Sequence, residues 1–203
     1  PTQPRRARVV RVTPDGATTI WRGSAFVAGL TDRLAFVSAI GPSGRLTLTA
    51  VDLTTGTARA VVRLPAGTRE LTSDRTGLRL AGLAYDTRGT APARLVVVDL
   101  TRPAARVRSA LLGSEIAPQQ LFWLRDGRLA YAPYTEIRTY DRSLRLVARV
   151  PGWNAGATTV AGASAYGLGP RGTVVRATLP RGPVRVVRRL PSPTARLIVA
   201  VTP

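Results

Sequence analysis

The chain contains no Cys, His or Met. All 30 of its basic residues are Arg, so Lys is missing too, and Asn occurs once, at Asn154. Without Cys there is no disulfide framework, thiolate nucleophile or zinc–cysteine site. Without His the chain lacks the usual general base near neutral pH and the commonest metal ligand, and a Ser-His-Asp triad has no centre. Aromatic residues make up 5%, too few to interleave stacking platforms with basic residues as single-strand nucleic-acid binders do. No helix-turn-helix, zinc-finger or RNA-recognition signature is present. No Gly-rich phosphate loop follows a strand and opens a helix, and no dense Asp cluster calls for calcium.

Acidic residues are also scarce. Eleven of them face 30 Arg, for a net charge of +19. Arg in place of Lys reads as the codon usage of a high-GC bacterium. That usage does not account for the surplus, because Asp and Glu also have GC-rich codons. A surplus of this size attracts polyanions, anionic lipid headgroups or acidic proteins. Long hydrophobic runs are missing as well. The longest charge-free stretch, which includes Pro151–Pro170, is rich in Gly, Ala and Thr, short of the roughly 20 predominantly apolar residues that a spanning helix needs. No signal peptide is visible, and residues 1–6 read as a solvated lead-in behind something removed or omitted.

What is present is repetition. Apolar residues recur at period 2 in short runs between Gly, Pro and Asp turns, the pattern of a many-stranded β-fold. The clearest unit runs Arg33–Ala39, Arg45–Leu53, Ala58–Pro65. The strand-ending residues Asp52, Asp99, Asp141 and Thr178 lie 47, 42 and 37 apart, the length of a four-stranded propeller blade. Four blades follow: 24–65, 69–113, 119–151, with a hairpin about Asp126-Gly127, and 157–191. A hairpin of 8–13 and 17–22 about Pro14-Asp15-Gly16 precedes them, and a strand at 195–201 follows. The expected fold is a single all-β domain over residues 7–203, a five-bladed β-propeller whose terminal strands share the fifth blade and close the ring, so that no sheet edge stays open. A fragment of a larger propeller is the alternative.

Asp126–Tyr131 and the pattern Arg33–Ser38 followed by Ala50–Leu53 resemble the repeats of bacterial TolB-like and WD40-like propellers, and Pro14–Gly16 is similar to their Pro-Asp-Gly turn. The resemblance covers nearly the whole chain. It implies a propeller fold and an extracytoplasmic binding domain, and it supplies no catalytic residue. The fourth blade lacks the Asp-Gly turn, and the Trp-Asp dipeptide of true WD40 repeats does not occur.

On the outermost strand of each blade Arg alternates with apolar residues: Arg59 and Arg63, Arg106 and Arg108, Arg145 and Arg149, Arg185 and Arg188. Period-2 spacing places each pair on one strand face and predicts a basic girdle. Such charges also discourage edge pairing, so the girdle reads either as a guard or as a partner surface. Blade phasing puts a second set on one loop face: Arg69, Glu70, Arg88, Gln119, Gln120, Tyr134, Glu136, Trp153, Asn154 and Arg171. Trp21 and Trp123 are expected in the core. Trp153, in a Gly-rich loop, is expected either to anchor a partner or to pack over a blade interface. A propeller glycoside hydrolase needs two facing carboxylates, and the inner strands offer Glu70 and little else, since Asp32, Asp74 and Asp126 sit at turns. The sequence therefore points to a non-catalytic, extracytoplasmic binding or scaffolding propeller without metal or cofactor. Its expected partner is an acidic protein or an anionic surface or polymer. The alternatives are a structural subunit docking an acidic neighbour and, more remotely, the hydrolase.

Overall fold

The computed structural model describes residues 6–40, 46–85, 92–113, 121–133 and 135–190. The candidate residues Arg88, Gln119, Gln120 and Tyr134, and the expected strand 195–201, lie outside the described residues. The chain divides into two compact units, Pro1–Ser114 and Glu115–Pro203.

The first unit opens with β1 (Arg6–Thr13) and β2 (Gly16–Leu30), followed by β3 (Leu34–Ile40), β4 (Leu46–Asp52) and β5 (Ala58–Arg63) in one antiparallel sheet of order β1-β2-β3-β4-β5. A four-stranded meander of β6 (Thr68–Ser73), β7 (Arg79–Ala84), β8 (Ala93–Asp99) and β9 (Arg106–Gly113) follows. The second unit holds two more meanders. One comprises β10 (Leu121–Trp123), β11 (Leu129–Tyr131), β12 (Glu136–Tyr140) and β13 (Leu146–Pro151). The other comprises β14 (Ala157–Ala161), β15 (Ser164–Leu168), β16 (Thr173–Thr178) and β17 (Val184–Arg189). The four blades fall where the repeat places them.

One boundary differs. The expected hairpin strand 17–22 and first blade strand are a single strand, β2. It pairs with β1 through Ser24 and with β3 from Ala25 onward. Nothing between Trp21 and Ala25 can turn the chain except Gly23, and there the Trp21 ring occupies the space a Cβ would need.

The strand-ending carboxylates explain the repeat. Asp52 Oδ1 accepts from the N–H groups of Thr54 and Thr55. Asp99 Oδ1 accepts from Thr101 N and its hydroxyl, and Asp141 Oδ1 from the N–H groups of Ser143 and Arg145. Each carboxylate therefore caps the turn into the outermost strand, closing it by a side-chain bond that mimics a backbone turn. The expected turn residues Asp74 and Asp126 do the same between the first and second strands of their meanders. At Asp52, Asp99 and Asp126 these bonds shift acidities. The N–H groups of Thr55 and then Thr54 hold the Asp52 carboxyl below its ordinary 3.8. At Asp99 burial pulls upward, but the hydroxyl and N–H of Thr101 outweigh it and the net direction is down. At Asp126 the Arg128 guanidinium, hydrogen-bonded to the carboxylate, is the main cause of lowering. A carboxyl held down in the folded chain favours folding once ionised. This stabilisation is therefore whole above about pH 4 and disappears as pH falls through the lowered folded values. Melting curves between pH 6 and pH 2 are expected to show the loss starting below about pH 4, and Asp52→Asn should flatten that limb. A melting temperature indifferent to pH in that range would remove the capping account.

Each unit has its own core. In the first, Ala28, Phe36, Leu48, Ala50, Leu64, Leu80 and Val98 form a buried cluster between the β2–β5 and β6–β9 sheets. A smaller cluster of Ala35, Val37 and Val51 packs with Val9 and Trp21. In the second unit Leu124, Ala130, Ile137, Val150, Trp153, Ala165, Val175 and Leu179 form the core between its two sheets. Trp21 and Trp123, expected in the core, are only half-buried.

Candidate functional site

The Arg pairs lie on or beside the last strand of each sheet, but strand bulges rearrange their faces. In β5 the register shifts between the partners Leu48 and Thr49, so Arg59 opposes Ala50 while Arg63 opposes Thr47. Those partners are three apart on β4, so the two guanidinium groups leave on opposite faces. In β13 a shift between Thr139 and Tyr140 separates Arg149, opposite Arg138, from Arg145, which precedes the strand. The expectation of one shared face is corrected for these two pairs, because the extra bulged residue breaks the period of 2. It holds for Arg106 and Arg108, which oppose Asp99 and Val97. Arg185 and Arg188 are three apart in sequence, yet a bulge brings them to one face, opposite Arg176 and Val174. All eight residues are exposed.

Of the loop-face candidates, Arg69 and Glu70 fall in β6, and of these two only the backbone is described. Glu136, Trp153, Asn154 and Arg171 fall in the second unit, and backbone bonds tie their segments to one end of its sheets. Gly152 N donates to Thr135 O at 3.0 Å, and Gly156 N to Leu168 O at 3.2 Å. Asn154 and Arg171 are exposed, and Arg171 sits in the left-handed region at φ 56°. Trp153 is corrected as a partner anchor. Its side chain is 0% exposed, and its indole N–H donates to Thr158 Oγ1 at 3.2 Å. Gly152, at φ +77°, turns the chain after Pro151, and the ring then packs inward, the second of the two roles open to it. Glu136 is not a free carboxylate either. With 13% of its side chain exposed, it pairs with Arg138 Nε at 2.5 Å and Arg149 at 3.2 Å. It relieves the repulsion between two Arg residues that sit directly opposite each other on β12 and β13.

A groove of about 590 Å³ opens in the second unit between β13 and the β16–β17 face. Val150, Val175, Val184 and Val186 line it, with Arg149 and Arg181 at its margin. Arg181 donates to the Val147 carbonyl at 3.4 Å. Of the residues lining the groove, the sequence nominated only Arg149, as part of the girdle, and Asn154, on the loop face. Arg181 and the valines were missed, because they come from strand faces and a turn on the other side of the blade. A signal was there. No acidic residue follows Asp141, and ten of the Arg residues do. Within β14–β17 the guanidinium of Arg176 donates to Ser164 Oγ at 3.1 Å and lies 5.8 Å from the Tyr166 ring, both neutral, and it stands opposite Arg185. Among the described residues no three His, Cys, Asp or Glu side chains gather as metal ligands would, and no helix is long and apolar enough to cross a membrane.

No family model and no curated protein matches the chain by sequence. Solved structures do match in fold. TolB from Acinetobacter baumannii aligns at 15% identity and a TM-score of 0.53, covering 87% of this chain and 47% of that one. The Cps50 (Swd1) β-propeller domain of Myceliophteria thermophila aligns at 13% identity and 0.50, covering 84% and 62%. An acylaminoacyl peptidase of Pyrococcus horikoshii aligns at 12% and 0.53, covering 81% and 33%. The fold is that of TolB-like and WD40-like propellers. Four meanders and the β1–β2 hairpin fit five blades. The chain spans about half the length of the TolB structure it matches.

Proposed function

We propose that the chain is a non-catalytic binding or scaffolding propeller, working outside the cytoplasm, that presents an Arg-rich surface to an acidic or anionic partner. The observation that carries this reading is the charge after Asp141, where ten Arg residues share the sequence with no carboxylate. Like charges placed directly opposite, as Arg176 and Arg185 are, cost the fold stability, and an arriving anion relieves that cost. The fold is compatible with a binding role but does not decide it, since propellers serve many functions from one scaffold and the site decides which. Docking to an acidic neighbour inside a larger assembly is the same chemistry in a structural subunit.

The test is binding to heparin, a polyanion without sequence, across a salt series. The affinity is expected to fall at least about tenfold between roughly 50 and 200 mM salt, because displaced counterions reclaim both partners. No binding at the low-salt end would sink the reading. Ring closure belongs to the same proposal, with 195–201 completing the sheet that β1 and β2 begin. Removing residues 191–203 should then lower the melting temperature by several degrees, and an unchanged curve would argue for open ends.

A further inference from the structure

We propose that the groove between β13 and the β16–β17 face takes an extended acidic peptide segment carrying apolar side chains. The inference rests on the reading above and names its site and partner class. Three observations converge there. The floor is apolar: half-buried Val184 and Val186, which is 58% exposed, face it, with Val150 and Val175 buried beneath them. The margin is basic, with Arg149 on one wall and Arg181 on the other, and among the described residues no carboxylate lines the groove. One wall is an edge strand, since β13 ends its sheet.

An edge strand offers alternate backbone groups to an added strand, and pockets beside it select every second side chain. A segment running along β13 would place alternate side chains on the valine floor and hold its carboxylates against guanidinium groups, the partner for which their planar fork is suited. Arg149 already shows this chemistry toward Glu136, at 3.2 Å. A nucleic acid or a uniform polyanion satisfies the margin but leaves the floor unused, and among the described residues no aromatic side chain lines the groove to stack a base.

The probe is a labelled decapeptide alternating glutamate with leucine, titrated against the full chain at low salt beside a glutamate–serine decapeptide of equal charge. The leucine peptide is expected to bind at least about fivefold more tightly. Arg181→Ala and, independently, Val186→Glu should each weaken it about tenfold, while Arg11→Ala and Arg102→Ala on the other unit leave it within twofold. All four positions are exposed, and circular dichroism checks that each variant keeps its strands. Equal affinity for the two peptides overturns the apolar floor. Leucine-peptide binding that ignores Arg181→Ala and Val186→Glu but falls with Arg11→Ala overturns the groove and leaves the Arg-rich reading standing. Heparin binding without peptide binding does the same. A single-stranded oligonucleotide of equal charge that binds more tightly than the leucine peptide and loses affinity on Arg181→Ala reassigns the groove to nucleic acid. Failure of heparin and both peptides alike removes the groove and the broader reading together.

Discussion

Replacing Trp153 by alanine is expected to cost the second unit about 3–5 kcal/mol of unfolding free energy, the range for a large aromatic removed from a packed interior. The ring is fully buried among Leu124, Ile137, Val150, Val175 and Leu179. It therefore joins both meanders of the unit from a loop that belongs to neither. Its indole N–H also satisfies Thr158 Oγ1, which gives Trp153→Phe a smaller effect of about 1–2 kcal/mol for a lost hydrogen bond and a partial cavity. Chemical denaturation followed by circular dichroism separates the two variants. A loss below about 1 kcal/mol for the alanine variant would mean that the loop is not pinned by this ring. Partner binding should then decline only as far as the unit unfolds, since no part of the ring reaches the surface.

That burial shows where reading the sequence stops. Alternation at period 2 and the Asp and Gly turns place all four blades, because an in–out strand and a capped turn are local events. Leu46–Asp52 and Arg94–Asp99 are legible for this reason. The bulges are not. Those in β5, β9, β13 and β17 insert one residue each without any special composition, and one extra residue is enough to send Arg63 to the face opposite Arg59. Loop packing is equally hidden. A Trp within Gly152–Gly156 can point either way until the φ of Gly152 decides it. The candidate site was legible in half. The missing acids after Asp141 stand in plain sequence, whereas the approach of Arg181 to Val147 joins residues 34 apart, and only the folding of two sheets together brings them within reach.

Gly77→Ala is the second large effect, with an expected loss of about 3 kcal/mol or more from the first unit. Gly77 closes the β6–β7 turn at φ +70°, with its N–H bonded to Asp74 O at 3.1 Å. A residue with a side chain pays about 1–2 kcal/mol for the left-handed region alone. Here the added Cβ would also run into the Leu30 carbonyl oxygen and stand 2.9 Å from Thr31 Cγ2. The obstacle is backbone, which cannot swing aside, so the turn must lift away from the β2–β3 connection and loosen Leu80, which packs in the core between the two sheets. Gly152→Ala isolates the two costs. Its φ is +77°, yet a Cβ there meets nothing within 4 Å, so about 1–2 kcal/mol is all it should lose. The difference between the two variants measures the close approach of the β6–β7 turn to β2. Equal losses would mean that backbone conformation accounts for both, and that the turn gives way at no cost.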